Sequence, residues 1–216
     1  MILQPAFRIR SKSFLFFKRL FDIVFSTLII LVVLSWLIPV AGFIILIDSR
    51  GPVFFRQRRI GKNGRSFYCL KFRTMRKNDI ADEKQAEEND ERITRVGRFL
   101  RKTNLDEFPQ FLNVFIGDMS LVGPRPHMIT DCVRFSFVIP AYNFRTLVRP
   151  GITGLAQVKG YHGQTPDYES IFTRYHWDAE YIRNVSFLLD LKILSLTIFE
   201  CFVNVCYLGY RFIKRS

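Results

Sequence analysis

TNLDEFPQFLNVFIGDMSLVGPRP, residues 103–126, joins an acidic pair, an apolar segment and a rigid proline turn. The apolar residues from Leu105 onward recur at close to helical spacing, and Pro109 suits a first helical turn. This spacing predicts a short helix with Asp106 and Glu107 at its N-terminus. Ordinary first-turn acids would also suit that position, because a helix N-terminus favours negative charge. The residues around the pair favour a chemical role.

Cationic side chains and a turn surround the acid pair. Four basic residues precede it, and Arg125 lies between two prolines that restrict its backbone. Carboxylate oxygens suit Mg²⁺, and the guanidinium fork of arginine binds phosphate oxygens. Residues 103–126 therefore predict a reactive centre for a metal-bound phosphate ester. The four preceding basic residues are Arg95, Arg98, Arg101 and Lys102.

Two further motifs, KFRTM at 71–75 and RPGITGLAQVKG at 149–160, accompany the quoted stretch. Together the three resemble the bacterial sugar transferases that start surface polysaccharides on a lipid carrier, the monotopic polyprenyl-phosphate phosphoglycosyl transferases. The similarity extends over roughly residues 18–207, with the motifs in the family's order. The resemblance implies transfer of a hexose 1-phosphate from a UDP-sugar to undecaprenyl phosphate, with release of UMP. This would be the first membrane step of exopolysaccharide, capsule or O-antigen synthesis.

The resemblance also implies residue roles. Asp106 is expected as the nucleophile that forms a covalent aspartyl-phosphosugar, and Glu107, with or without Asp106, is expected to hold Mg²⁺. A carboxylate nucleophile suits two anionic substrates, because it divides the transfer into two steps in which they never meet. His127 follows the proline turn, where a structural role is more common than acid–base catalysis. The phosphate-binding candidates are Arg101, Arg125, Lys71 and Arg73.

The composition limits the class of protein and its partners. A net charge of +13 makes nucleic acid, an anionic lipid bilayer or a phosphorylated substrate the candidate partners, and charge alone does not choose among them. The resemblance favours the lipid and the UDP-sugar and leaves no role for nucleic acid. A membrane-tethered basic binding or scaffold module stays as an alternative from another class. A multispan enzyme without a covalent intermediate is a third interpretation.

The N-terminal region predicts membrane attachment. A basic and aromatic lead-in at 1–21 precedes the run Ile23–Ile47, whose 25 uncharged residues would be about 38 Å of helix against a hydrocarbon core of about 30 Å. A single span would fit that length. Pro39 nevertheless predicts a break, since it cannot donate to the carbonyl of Ser35. The family often has adjacent Ser and Pro at such a break, whereas here they are four residues apart.

Basic residues flank the apolar run on both sides. Five precede it, and ten, against one acid, lie between Asp48 and Lys77. Because basic flanks prefer the cytoplasm, a re-entrant helix-break-helix that enters one leaflet satisfies both ends. We therefore expect a monotopic protein of the bacterial inner membrane, with its catalytic domain on the cytoplasmic face. The expected division is residues 1–48 for membrane attachment and 49–216 for the catalytic domain with C-terminal interfacial helices.

The rest of the chain predicts a helix-rich α+β fold. A small β-hairpin is expected within residues 51–77, turning at Lys62-Asn63-Gly64, and a solvated acidic segment at 78–92. The apolar stretch 187–212 contains charged residues, which favours amphipathic helices at the membrane surface over a second span. The cysteines lack metal-binding spacing and are expected to be reduced, which fits a cytosol-facing site. They are Cys69, Cys132, Cys201 and Cys206.

The donor sugar is the least determined feature. The stretch GYHGQTPDYE at 160–169 and the C-terminal sequence look most like the hexose-1-phosphate branch of the family. His162 and Gln164 lie where that branch often has other polar residues, so glucose is favoured only slightly over galactose or an N-acetylated sugar. The sequence leaves the oligomeric state open, and a homo-oligomer remains an alternative.

Overall fold

The computed structural model describes residues 11–76, 90–161 and 167–213, with side chains as far as Val203 and at Cys206. The basic lead-in before Ser11, most of the acidic segment, and the His162 and Gln164 positions lie outside the described residues. The helices are α1 (Lys12–Ile29), α2 (Ser35–Asp48), α3 (Arg95–Lys102), α4 (Gln110–Ile116), α5 (Ile129–Val138), α6 (Leu155–Val158), α7 (Tyr168–Asn184) and α8 (Phe187–Ile213). The strands are β1 (Phe54–Ile60), β2 (Ser66–Phe72), β3 (Ser120–Val122) and β4 (Gly151–Thr153). This helix-rich α+β composition confirms the expected class.

One long helix forms the N-terminal region. Helices α1 and α2 are joined by a π-helical segment at Ile30–Leu34, so the chain is helical from Lys12 to Asp48. Pro39 lies inside α2 without ending it. The break expected at Pro39 is therefore absent, and the irregularity lies upstream, where the Ser35 N–H donates to the carbonyl of Ile30. By length and composition, this is the one helix within the described residues that could cross a membrane.

The long helix packs on the rest of the protein near both of its ends. Phe14, Phe21 and Phe25 of α1 contact a core formed by α4, β3, α7 and α8. Its second half contributes to a separate core with Phe72 and Leu100. The opposite face exposes large apolar side chains along its whole length. The buried residues of the second half are Leu34, Leu37, Ala41 and Ile45.

The predicted hairpin is confirmed. Strands β1 and β2 pair antiparallel from Phe54 opposite Phe72 to Ile60 opposite Ser66. The connection is a short 3₁₀ turn at Lys62–Gly64, in which Asn63 has a φ of 55°. A left-handed conformation is tolerated by asparagine and glycine, which is why this sequence turns here. The hairpin brings Lys71, near the end of β2, towards the acid pair.

A second strand pair was not predicted from the sequence. Strand β3 runs parallel to β4, with Ser120 opposite Gly151 and Val122 opposite Thr153. Both strands are three residues long, too short to show a periodic pattern. Gly123 follows β3, and a Cβ atom there would lie 2.4 Å from the carbonyl oxygen of Arg149. This close approach fixes the start of the proline turn against the segment that leads into β4.

The C-terminal stretch forms a single helix, α8. Asp190 in its first turn is buried and forms an ion pair of 2.6 Å with Lys18 of α1. The hydroxyl of Tyr181 in α7 also donates to Asp190, at 2.8 Å. Farther along, Ile198, Phe199 and Phe202 are exposed. The charged residue that interrupts the apolar run in the sequence therefore attaches α8 to α1 and α7.

Candidate active site

The acid pair lies in a 3₁₀ turn of its own, Leu105–Glu107, one turn ahead of α4. Asn104, with a φ of 56°, separates this turn from the end of α3, and Pro109 is the N-cap residue of α4. The predicted helix is thus shorter than expected, and the acids precede it. Because α3 and β2 both contact this turn, their cationic side chains reach the acids.

Glu107 is held by two cations. Its Oε1 accepts a hydrogen bond of 2.7 Å from Lys71 Nζ and one of 2.6 Å from Arg125 Nη2, while its Oε2 accepts one of 3.1 Å from Arg125 Nη1. Burial by itself raises the pKa of Glu107, but the charges of Arg125 and Lys71 outweigh it and hold that pKa well below its ordinary value. Glu107 is therefore ionised at neutral pH and fixed by a two-point contact with Arg125.

Asp106 lies in a different environment from its neighbour. Its side chain is buried, with 8% of the residue exposed, and it has no ion pair within the described residues. Burial raises the pKa of Asp106 to about 6, against the lowering effect of Lys71 and with a further rise from Glu107. The two adjacent acids thus have pKa values shifted in opposite directions. A carboxylate that is poorly solvated and unpaired is a suitable nucleophile once ionised.

Arg101 completes the cationic surroundings of Asp106. It lies in the last turn of α3, and its Nε donates a hydrogen bond of 2.8 Å to Thr74 Oγ1. Burial lowers the pKa of Arg101, and the charge of Asp106 opposes that effect most strongly. The structure therefore brings Arg101, Lys71 and Arg125 together around the acid pair.

Arg73 has a structural position instead, which corrects its assignment as a phosphate-binding candidate. Its Nη1 donates to the carbonyl of Arg50 at 2.6 Å, and its Nη2 donates to the carbonyls of Ser49 at 2.5 Å and Ile45 at 3.4 Å. These carbonyls lie at the C-terminal end of α2, where backbone acceptors lack helical partners. Arg73 thus caps the long helix and fixes it to β2.

Four successive carbonyls of the proline turn after β3, from Pro124 to His127, accept hydrogen bonds. The carbonyl of Pro124 accepts from the N–H of Gly151 at 3.0 Å, and that of His127 accepts from the N–H of Ile60 at 3.0 Å. Between them, the Arg125 carbonyl accepts from Arg145 at 2.7 Å and the Pro126 carbonyl accepts from Arg59 at 3.0 Å. Sequence analysis identified the turn but neither arginine that holds it, because both are remote in the chain.

His127 is part of a buried network and is not exposed to a substrate. Its Nδ1 forms a hydrogen bond of 2.5 Å with the hydroxyl of Tyr142, which also accepts one of 3.0 Å from Arg145. Burial, together with the nearby charges of Arg145 and other arginines, lowers the pKa of His127 well below its ordinary value. His127 is therefore neutral at physiological pH, which fits the structural role.

The carboxylates of the site suit Mg²⁺, but Asp106 is available as a ligand whereas Glu107 is already occupied. Mg²⁺ is commonly held by one or two carboxylates together with substrate phosphate oxygens and water. Asp106 offers an unpaired carboxylate, whereas both oxygens of Glu107 already accept hydrogen bonds from cations. Within the part of the chain that the structure describes, no group of three or more His, Cys, Asp or Glu residues could hold a metal ion. A bound ion would therefore depend on the phosphate groups of the substrate.

The site is thus a buried acid pair surrounded by Lys71, Arg101 and Arg125, on a body that carries one long helix with exposed apolar side chains. The chain belongs to the bacterial sugar transferase family, whose model matches residues 13–204.

Individual relatives point to one type of reaction with different donor sugars. The chain is 47% identical over 189 residues to a UDP-glucose:undecaprenyl-phosphate glucose-1-phosphate transferase of Klebsiella pneumoniae, a match that covers 87% of this chain and 40% of the relative. A protein of the same name from Caulobacter vibrioides is 45% identical, with 84% of this chain and 68% of the relative covered.

A third relative differs in its donor. It is a UDP-N-acetylgalactosamine-undecaprenyl-phosphate N-acetylgalactosaminephosphotransferase of Aeromonas hydrophila, 42% identical, with 87% of this chain and 44% of the relative covered. This chain thus spans less than half the length of two of these three relatives.

Proposed function

We propose that this protein transfers a hexose 1-phosphate from a UDP-sugar to undecaprenyl phosphate and releases UMP. The observation that carries the proposal is the contrast between the two acids: Glu107 is neutralised by Lys71 and Arg125, whereas Asp106 is buried, unpaired and has its pKa raised to about 6. Such a pair separates one carboxylate for chemistry from one for holding cations in place. The names of the relatives supply the two substrates.

The transfer proceeds in two displacements at one phosphorus atom. A carboxylate oxygen of Asp106 bonds to the phosphorus that bears the sugar, and the bond from that phosphorus to the UMP oxygen breaks, with the electron pair leaving on UMP. A phosphate oxygen of undecaprenyl phosphate then bonds to the same phosphorus, and the bond to Asp106 breaks. The carboxylate is regenerated, and the product is a sugar linked to the lipid by a pyrophosphate.

The cationic side chains of the site stabilise the negative charge that moves during these steps. Arg101 and Lys71 lie beside Asp106 and would bind the phosphate oxygens of the donor, because guanidinium and ammonium groups stabilise charge that develops on the phosphoryl group and on UMP. Arg125 is fixed by Glu107, and its side chain, 25% exposed, would add positive charge beside the donor phosphates. Asp106, together with phosphate oxygens of the donor, would hold Mg²⁺, which when bound would neutralise negative charge on the donor.

Monotopic attachment to the cytoplasmic face of the bacterial inner membrane is part of the proposal. The helix from Lys12 to Asp48 would be about 55 Å long, and buried residues near both of its ends rest on the same body. A helix so held does not leave the body to cross a bilayer, whereas its exposed apolar face suits one leaflet. The structure thus supports a re-entrant or interfacial helix over a single span, with the exposed residues of α8 as a second lipid contact.

The experiment that tests the proposal is intact-protein mass spectrometry of the purified enzyme mixed with a UDP-sugar alone, next to a UMP-release assay with undecaprenyl phosphate. An added mass of one hexose phosphate, lost on addition of the lipid, is expected. Turnover without that mass would remove the covalent intermediate. A panel of UDP-glucose, UDP-galactose and UDP-N-acetylgalactosamine identifies the donor, for which we propose glucose, with the other two as alternatives.

A further inference from the structure

Arg145, a buried arginine outside the acid pair, contacts the backbone of Arg125, the residue that binds Glu107. Arg145 lies in the 3₁₀ segment Tyr142–Leu147, with 6% of its surface exposed. Its Nη2 donates a hydrogen bond of 2.7 Å to the carbonyl oxygen of Arg125. Arg145 therefore contacts the main chain of the residue whose side chain forms the two-point contact with Glu107.

Arg145 is itself fixed from two sides. The same Nη2 donates to Asp178 Oδ2 of α7 at 2.7 Å, and its Nη1 donates to the hydroxyl of Tyr142 at 3.0 Å. Asp178 is buried as well, with 2% exposed. A planar guanidinium held by a carboxylate, a hydroxyl and a carbonyl has little freedom, so its position is determined by α7. The contacts thus run from Asp178 through Arg145 and Arg125 to Glu107.

A buried ion pair of this kind contributes little net stability to the fold. Taking two charges out of water is costly, and an apolar pair of similar volume is often as stable or more stable. The pair of Arg145 and Asp178 does, however, do something that apolar side chains could not do, because it supplies a donor to the Arg125 carbonyl. Its position next to the reactive centre indicates what that contact is for.

We infer that Arg145, oriented by Asp178, is a positioning residue for the donor half-reaction, acting through the backbone of Arg125 on the acid pair. This inference rests on the proposed function. Without the contact, the turn that carries Arg125 would be free to shift, and small displacements of catalytic groups cost large factors in rate. The effect is expected on the chemical step more than on donor binding, because Arg101 and Lys71 lie on α3 and β2, outside the turn, and would still bind the donor phosphates.

The test uses a variant in which both buried charges are removed. Arg145→Met alone would leave Asp178 buried and unpaired and could prevent folding. The double variant Arg145→Met/Asp178→Leu removes both charges of the ion pair and keeps the neighbouring buried Arg174, and folding is checked by circular dichroism and thermal unfolding. Arg145→Lys keeps the charge but loses the planar fork, and Arg183→Met removes a partly exposed arginine of α7 as a matched control.

The measurements are the kcat and KM of UMP release. For the folded double variant we expect kcat to fall on the order of 10-fold or more, with KM changed by less than about threefold. Arg145→Lys should recover part of the loss, and Arg183→Met should match the wild type.

The outcomes separate this inference from the function on which it rests. A folded double variant with the kcat and KM of the wild type would overturn the positioning role, and the pair would be structural only. An unfolded double variant would also contradict the argument, because it would mean that the fold requires the pair. If the wild-type enzyme with donor alone gains no mass and releases no UMP, the proposed function itself is wrong.

Discussion

Arg125 holds Glu107 at both carboxylate oxygens, at 2.6 and 3.1 Å, and Lys71 shares one of them at 2.7 Å. This relationship gives two adjacent acids opposite properties. Glu107 is ionised, and its negative charge is offset by Arg125 and Lys71, whereas Asp106 is buried and has no ion pair within the described residues.

Replacing the proposed nucleophile should remove labelling and increase stability. Asp106→Asn should abolish the mass gained from the UDP-sugar. Folding raises the pKa of Asp106 from 3.8 to about 6, so the wild type loses stability as pH rises through this window, and the loss is complete above about pH 6. The variant should therefore be more stable at pH 8, by up to about 3 kcal/mol, with the difference vanishing near pH 4.

Denaturant unfolding at the two pH values measures this difference. Asp118→Asn is the matched control, because it changes the same type of side chain downstream of α4 and should keep both labelling and the pH dependence of the wild type. Retained labelling in Asp106→Asn would move the nucleophile to another residue. Equal stability of wild type and variant at pH 8 would contradict the raised pKa.

The rate of the first half-reaction should depend on pH through Asp106. UMP release measured by rapid quench should rise with pH, be half-maximal near pH 6 and level off above about pH 7, because the carboxylate must be ionised to attack. In Lys71→Met the rise should move to higher pH, since Lys71 is the charge that lowers the pKa of Asp106 most. Lys62→Met in the hairpin turn should leave the profile unchanged. A profile that is flat from pH 5 to 8 in the wild type would contradict the assignment.

Removal of divalent metal should stop turnover. The donor carries a pyrophosphate whose charge the site cations only partly offset, so EDTA should abolish UMP release and Mg²⁺ should restore it. Folding should be unaffected, because the site residues are held by protein contacts in the structure. Thermal unfolding with and without EDTA is the control. Full activity in EDTA would show that catalysis does not need the metal and that the ion-paired side chains around Glu107 are sufficient.

Both ends of the long helix should face the cytoplasm. Single cysteines at Lys12 and Ser66, introduced after replacement of the partly or fully exposed Cys132, Cys201 and Cys206, should react with a membrane-impermeant maleimide only in inverted vesicles. Both positions are exposed in the structure, so accessibility depends on the membrane alone. Labelling of Lys12→Cys in intact spheroplasts and of Ser66→Cys only in inverted vesicles would establish a single span. Buried Cys69 serves as an unreactive internal reference.

Short sequence motifs were sufficient to predict several features of the fold and of the candidate site. The turn at Lys62–Gly64 was predicted because asparagine and glycine tolerate the left-handed conformation that it requires. The acid pair and the proline turn were recognised as one centre because their residue types suit phosphate and metal chemistry wherever the chain places them. Proline does not end α2 at Pro39, and the irregular segment lies upstream at Ile30–Leu34, in a π-helical turn of the kind that also kinks helices.

Contacts between distant residues needed the tertiary structure. Nothing in the sequence distinguishes the role of Arg73, which caps α2, from that of Lys71, which binds Glu107, although Lys71 lies on β2 and Arg73 directly follows that strand. The side chain of Arg73 meets the end of the long helix and that of Lys71 meets the acid pair, and only packing decides which neighbour each one has. Likewise, Arg145 donates directly to the carbonyl of Arg125, twenty positions away, and is itself held by Asp178 of α7.

The sequence by itself determined the reactive residue types, the apolar helix and the family, because these depend on composition and order along the chain. The tertiary structure alone decided which of two adjacent acids is neutralised and which is left unpaired. The physical reason is that a carboxylate's charge state depends on burial and on cations within a few ångströms, and those cations come from separate elements that meet only when the chain folds.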